Sequence, residues 1–350
     1  MGNRGDGVTV SIVIPTWNGR ELLRECLASL AEQDRAADEV IVVDNGSADG
    51  TAEMAGADFP WAKVLRLERN EGFARAVNRG IRIARGSLVG LVNNDAVCGR
   101  GWVAAMAAAA EANPWAGFFA SKVVFYDDPG VVDSAGDEYT GWGMVFNRGH
   151  GERDAGQYDA PAEVFGACAA AAVYRAEMLR ETGLMDENFF AYYEDVDLSF
   201  RARLLGYRCL YVPGAVVRHR YGGATGGTPK LGREEVYVHL TALALKNMPA
   251  ALFVRYFVPG FFFHALVLIL FAAARLRGGG RLPRAPFLRL MRNMLRQRGA
   301  VQRGMRVSPR ELEEAFARRG FARWFFGEAR QVRRRRARRG GASGGRGDGA

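Results

Sequence analysis

An acid directly after an apolar run is the first sign of chemistry in this chain. Residues 88–92, Leu-Val-Gly-Leu-Val, read as a buried strand, and the chain then turns polar at Asn93-Asn94-Asp95. Ligands of open α/β sheets bind outside the C-terminal ends of the strands, so Asp95 is a candidate metal or phosphate-handling group. Three further apolar runs end in polar residues. Residues 8–14 lead into Pro15-Thr16-Trp17-Asn18, residues 39–43 into Asp44-Asn45-Gly46-Ser47, and residues 63–67 into Arg69-Asn70-Glu71-Gly72. A second acidic focus is Glu194-Asp195, with Asp197 close behind, and His219, one of four histidines, follows the apolar residues 215–217. Taken singly, each has a bland explanation: a turn with a helix cap at residues 44–47, a turn at 93–95, acids in a first helical turn at 194–197, a structural histidine at 219. Their order along alternating strands and helices is what argues for a site.

The elements that must position these residues follow from periodicity. The run 8–14 is β-branched and stops at Pro15. Residues 21–33 then place Leu22, Leu23, Cys26, Leu27 and Leu30 on one helical face. A short strand at 39–43 precedes a helix from about residue 51, with Ser47 or Asp49 as its cap. A strand at 63–67, a helix at 73–84 closed by Gly86, the strand 88–92 and an alanine-rich helix at 102–112 complete the series. Strands alternating with helices imply a parallel, doubly wound sheet covered on both faces, an α/β fold. The irregular stretch 123–163 reads as binding loops. Residues 169–181 read as a helix, and 186–206 as a polar, aromatic loop followed by a helix.

Composition sets the limits. The chain has 350 residues, 49% of them apolar, and a formal charge of +10. That charge is uneven: residues 275–350 hold 22 arginines and 5 acids, a net of +17, which leaves −7 for residues 1–274. Cys26, Cys98, Cys168 and Cys209 form no CxxC pair, which argues against a zinc knuckle and for small apolar thiols in a reducing compartment. Residues 1–7 are short and polar, without the features of a secretory signal, and point to a cytoplasmic protein.

The strings VSIVIPTWNG, VIVVDNGSADGT, RNEGFARAVNRG and LVNNDA, with the later block Gly183 to Arg201 and Val217-Arg218-His219, resemble the family 2 glycosyltransferases of the GT-A fold. The likeness covers roughly residues 8–225, and within the family it is most similar to the rhamnosyltransferase-type branch of cell-surface polysaccharide synthesis. It implies a nucleotide-sugar site in which Asp44 accepts from a uracil or thymine imide, while Thr16, Asn18 and Ser47 bond base or ribose. Arg69 and Asn70 would flank the pocket, and Pro15, Gly72, Asn78, Asn94 and Asp95, in the same matched strings, are likewise implied as nucleotide-sugar-binding residues. Asp95 corresponds to the last acid of the DxD-type motif, which holds Mg2+ or Mn2+ against the diphosphate. Asn93 stands where that motif has its first acid. His219 matches a position that completes the metal site in some relatives. By the same likeness Asp195 is the catalytic base of an inverting transfer, Glu194 the rival, and Asp197 a structural partner for Arg201. Trp142, Phe165 and Tyr192 are candidates for stacking on sugar rings.

The implied reaction moves a sugar, rhamnose from dTDP-rhamnose being the first candidate, to a glycan or lipid-linked acceptor. The alternatives are a UDP-sugar donor such as UDP-galactofuranose, or a catalytically silent membrane scaffold. The domains expected are a transferase domain at 1–245, a helical membrane-associating or packing segment at 246–320, and an Arg/Gly-rich disordered tail at 321–350. Residues 256–274 carry no formal charge, which as a helix is about 28 Å, marginal for a bilayer. A tail of +17 across the membrane from the active site would oppose the positive-inside rule. The expectation is therefore an interfacial segment on the inner face of the cell membrane, or a helix packed on the domain or on a second subunit. Nucleic acid is not an expected partner, because no aromatic residues alternate with the arginines of 333–339.

Overall fold

A computed structural model of the chain describes residues 7–189, 191–220, 233–257, 269 and 284–318. The first half follows the expected alternation: β1 (Val10–Thr16), α1 (Arg20–Ala31), β2 (Glu39–Asp44), α2 (Thr51–Asp58), β3 (Lys63–Arg66), α3 (Phe73–Ile83), β4 (Leu88–Val92), β5 (Ala96–Cys98) and α4 (Trp102–Ala112). Strands β1 to β4 are parallel, in the order β3-β2-β1-β4. Burial on both faces explains the apolar runs of β1, β2 and β4, whereas β3, at the sheet edge, is only partly buried. In β1, Val10, Ile12 and Ile14 pack with α1, α2 and α4 on one face, while Val13 packs with α3 on the other.

The second half extends the same sheet through β6 (Ala116–Phe125), β7 (Val132–Ser134), β10 (Ala162–Val164), β11 (Ala171–Arg175) and β12 (Arg208–His219). Strands β8 (Asp137–Tyr139) and β9 (Val145–Asn147) form a separate hairpin. Strand β11 lies antiparallel between β4 and β6, and β12 runs parallel to β6. Helix α5 (Ala176–Thr182) follows β11, and α6 (Glu194–Leu204) precedes β12. The architecture is thus a mixed α/β fold around a mostly parallel sheet.

Two expectations change here. Residues 169–181 are not one helix, since 171–175 form β11 and only 176–182 coil. Alanine favours helix in isolation, but small side chains fit a strand enclosed on both edges and both faces, and packing overrides propensity. Gly86 does not cap α3, whose last turn passes into extended backbone at Ala84. Gly86 is needed for close approach, because a Cβ there would lie 2.6 Å from the Ser11 backbone nitrogen.

Past β12, α7 (Arg233–Asn247) and α8 (Ala250–Leu252) lead into a π-helical turn at Phe253–Phe257, and α9 (Arg284–Arg303) and α10 (Pro309–Glu314) follow. Residues 1–316 group as one compact unit and 317–350 as another. The expected division at 245/246 falls inside α7. Leu243, Ala244, Met248, Leu312 and Phe316 share a core with Phe165 and Phe200, which makes Phe165 a packing residue and not a sugar platform. From α9, Arg298 Nη1 donates to Leu245 O at 2.6 Å and Gln302 Nε2 to Asn247 O at 2.8 Å, satisfying carbonyls at the end of α7. Most of the apolar stretch 256–274, and all of the tail 321–350, lie outside the described residues. Among the described residues no helix is long and apolar enough to cross a membrane.

Candidate active site

Because β1, β2 and β4 are parallel neighbours, their C-terminal residues share one edge of the sheet. Thr16 is opposite Asp44 in register, and its Oγ1 accepts from Asn94 Nδ2 at 2.9 Å, so the ends of β1 and β4 are tied together. Pro15, one residue earlier, pairs with Val43 inside the sheet. Asn18 adopts φ 47°, its N–H donates to Ser47 Oγ at 2.9 Å, and its Oδ1 accepts from Ala48 N at 2.8 Å.

Asp44 is 0% exposed. Its Oδ1 accepts from Ser47 N at 3.2 Å, whereas Oδ2 has no hydrogen-bond donor among the described residues, with Arg66 Nε 3.8 Å away. The turn that aims it requires Gly46, at φ +77°, where a Cβ would lie 2.5 Å from Arg69 Cα. Asn45 is a positioning residue that motif reasoning passed over. Its Nδ2 donates to Asn70 Oδ1 at 3.0 Å and Gly72 O at 3.2 Å, and its Oδ1 accepts from Glu71 N at 2.8 Å. It fastens the 44–47 turn to the 69–72 loop, where Arg69 is exposed. Asn78 lies apart from this cluster. Its amide holds Met185, with N–H to Oδ1 at 3.0 Å and Nδ2 to O at 2.9 Å, and so ties α3 to the loop before α6.

Strand pairing builds the second corner. His219 is opposite Ala96 across β12 and β5, which sets its Nε2 3.4 Å from Asp95 Oδ1. His219 is also opposite Phe125 of β6, and β7 pairs with β6, so Asp133 arrives on the other side of the ring with Oδ2 2.8 Å from Nδ1. The second oxygen of Asp133 meets His150 Nδ1 at 3.0 Å. Burial alone would lower the His219 pKa, but the Asp133 and Asp95 carboxylates outweigh it and raise it to about 9. The two carboxylates thus favour the protonated form of the imidazole. Neither Asp133 nor His150 was singled out from the sequence. The one sign was an acid set directly after an apolar pair, Val131-Val132.

The third corner is the start of α6. Two successive residues with positive φ, Tyr192 at 70° and Tyr193 at 72°, turn the chain into the helix. Such backbone is strained for non-glycine residues, and strain of this kind clusters at functional sites. Asp195 Oδ2 accepts from Ala169 N at 3.0 Å and Oδ1 from Val196 N at 2.8 Å. The adjoining Ala170 O accepts from Asn93 N at 3.0 Å, so two residues link Asp195 to the Asn93-Asp95 corner. Burial raises the pKa of both acids of the pair. Glu194, 4% exposed and without a hydrogen bond to Oε2 among the described residues, is driven well above the carboxylate range by burial and by Asp195. Asp195 is raised less, because backbone N–H groups hold its charged form. Asp197 bonds Arg201 Nε at 2.8 Å, the structural pairing expected of it.

A mostly parallel sheet with Asp44, Asp95 and Asp195 at linked loop ends has the architecture of the GT-A fold. Residues 11–183, just under half of the chain, match the model of Glycosyl transferase family 2, and a glycosyltransferase is the class of enzyme this match supports. Among its relatives is the N-acetylglucosaminyl-diphospho-decaprenol L-rhamnosyltransferase of Mycobacterium tuberculosis, 29% identical over 244 residues, 62% of this chain and 78% of the relative. The uncharacterised protein y4gI of Sinorhizobium fredii is 29% identical over 232 residues, and this chain spans only 25% of its length. GalNAc-T7, solved with UDP, GalNAc and Mn2+, shares the fold with a TM-score of 0.54 at 16% identity, over 69% of this chain and 48% of that one.

Proposed function

We propose that the protein is an inverting glycosyltransferase that uses Mg2+ or Mn2+ to move rhamnose from dTDP-rhamnose onto a glycan or lipid-linked acceptor of the cell envelope. The observation that carries the donor half is Asp44, whose buried Oδ2 lacks a donor among the described residues. A buried acceptor without a hydrogen bond is costly even with a guanidinium 3.8 Å away, and the imide N–H of thymine or uracil would satisfy it. Rhamnose and a polyprenyl-linked acceptor are supported by the mycobacterial relative, whose name states both.

His219 Nε2 and Asp95 Oδ1, 3.4 Å apart, present one imidazole nitrogen and one carboxylate oxygen close enough for one ion to touch both. That donor set suits a divalent cation, and the imidazole favours Mn2+ over Mg2+. Among the described residues no group of three His, Cys, Asp or Glu could hold an ion, so phosphate oxygens and water would complete the shell. When bound, the ion neutralises the diphosphate as charge develops on it. Loading needs neutral imidazole, so the Nε2 proton shared with Asp95 must leave.

The remaining work falls to Asp195. It removes the acceptor hydroxyl proton as that oxygen bonds to the anomeric carbon. The bond from that carbon to the β-phosphate oxygen breaks, and the electron pair departs with the nucleoside diphosphate. Two neighbouring carboxyls whose surroundings separate their proton affinities divide the roles, which supports Asp195 as the anionic base beside a protonated Glu194.

An anionic lipid surface as the resting place for the protein is supported by α9. Its described residues include Arg289, Arg292, Arg296 and Arg303 and no acid, and Leu288 and Leu295 are 63% and 55% exposed. The functional reading is tested by a thermal-shift screen of dTDP- and UDP-sugars with Mg2+ or Mn2+, followed by transfer assays with the sugars that bind. A stabilising shift with dTDP-rhamnose is expected. No shift with any of these donors would overturn the reading.

A further inference from the structure

The most heavily buried carboxylate beside the Asp95–His219 corner belongs to neither motif that builds it. Asp133 is 1% exposed and lies between two imidazoles, Oδ2 on His219 Nδ1 at 2.8 Å and Oδ1 on His150 Nδ1 at 3.0 Å. We propose that Asp133 is the positioning residue for His219, holding the proton on Nδ1 and so turning the Nε2 lone pair toward Asp95 and the cation of the donor complex. This rests on the reading of Asp95 and His219 as cation ligands.

The geometry supports the assignment on three counts. A neutral imidazole carries one proton, and a carboxylate 2.8 Å from Nδ1 accepts that proton and cannot donate one, which fixes the tautomer. The ring is also fixed in orientation, because β12 pairs with β5 and β6 on either side of it and Asp133 arrives on β7 from the same sheet. Asp133 is itself immobilised, since its second oxygen is held by His150 and its backbone carbonyl accepts from the same His150 nitrogen at 3.0 Å. A site with only two protein ligands among the described residues gains most from such support, since each ligand must meet the ion without a third to correct its angle. Carboxylates that orient a ligating histidine typically change metal affinity by about 10–100-fold.

The test is a double-mutant cycle read by Mn2+ affinity, measured from the electron paramagnetic resonance of free Mn2+ in the presence of dTDP or UDP. Asp133→Asn puts an amide where the carboxylate was and allows the Nε2–H tautomer that blocks the ion. Its Mn2+ affinity is expected to fall about 10–100-fold. In the His219→Ala background the same substitution is expected to change affinity by less than about twofold, because its effect passes through the imidazole. A fall of equal size in both backgrounds would show that Asp133 acts by holding the fold, and would overturn the proposal. So would wild-type affinity in Asp133→Asn where His219→Ala has lost it. Wild-type protein that binds no Mn2+ with either nucleotide sinks the metal reading itself, a different result from either of these. Because the readout is a ratio between backgrounds, it survives a uniform loss of stability, and His150→Gln gives a milder probe of the same carboxylate with an expected fall of severalfold.

Discussion

Asp197 Oδ2 and Lys246 Nζ stand 2.8 Å apart with both side chains buried, which fastens α6, the helix that opens with Asp195, to α7. Lys246 also meets Asp186 at 2.7 Å, and Asn247 Nδ2 bonds the second oxygen of Asp197 at 2.8 Å. Removing one partner from such a group leaves buried charge uncompensated. Lys246→Met is therefore expected to lower unfolding free energy by about 3 kcal/mol in urea titrations. A loss under about 1 kcal/mol would contradict this account.

Acid should reveal the same group. Burial would raise the Asp197 pKa, but Lys246 and Arg201 outweigh it and hold it at about 2. The unfolded value is about 3.9, so the folded state favours the ionised form. This contribution is fully present above about pH 4 and is lost as pH falls toward 2, a total of roughly 2–3 kcal/mol. Stability measured from pH 5 to pH 2 should fall more steeply in the wild type than in Asp197→Asn.

Asp44→Asn replaces the open acceptor with an amide while leaving an oxygen for the Ser47 N–H. Nucleotide binding, measured calorimetrically with dTDP and UDP, is expected to weaken about 10-fold or more, in line with a lost charged hydrogen bond. Unchanged affinity for both nucleotides would remove Asp44 from base recognition.

Asp195→Asn is expected to lower kcat by about 10²–10⁴ while nucleotide affinity stays near wild type, because general-base loss acts on the reacting state. Glu194→Gln should cost much less, since burial and Asp195 already disfavour the charged form of Glu194. The reverse ranking of the two variants would make Glu194 the base.

Legibility in the sequence followed burial. Strands covered on both faces must be apolar throughout, so β1, β2 and β4 and their polar ends stood out. Asp44, Asp95 and Asp195 were accessible because each follows such a run or sits in a matched string. The stretch 169–175 misled because its alanines signal helix, while the slot between β4 and β6 is visible only once both strands are placed. Asp133, His150 and Lys246 escaped for a related reason. Each takes its meaning from residues far along the chain, as Lys246 does from Asp186 and Asp197. Asn45 sat within a recognised string, yet its contacts with the 70–72 loop needed the turn geometry.

Strand β11 is hydrogen-bonded along one edge to β4, which leads into Asn93-Asn94-Asp95, and along the other to β6, which leads toward the His219 corner. This single ribbon splints the two sides into one plate. Among the described residues, hydrogen bonding therefore runs unbroken across the middle of the sheet. Any segment that closes over such a floor must move independently of the sheet, and the strained backbone at Tyr192 and Tyr193, just ahead of Asp195, lies in one of the loops outside that bonding.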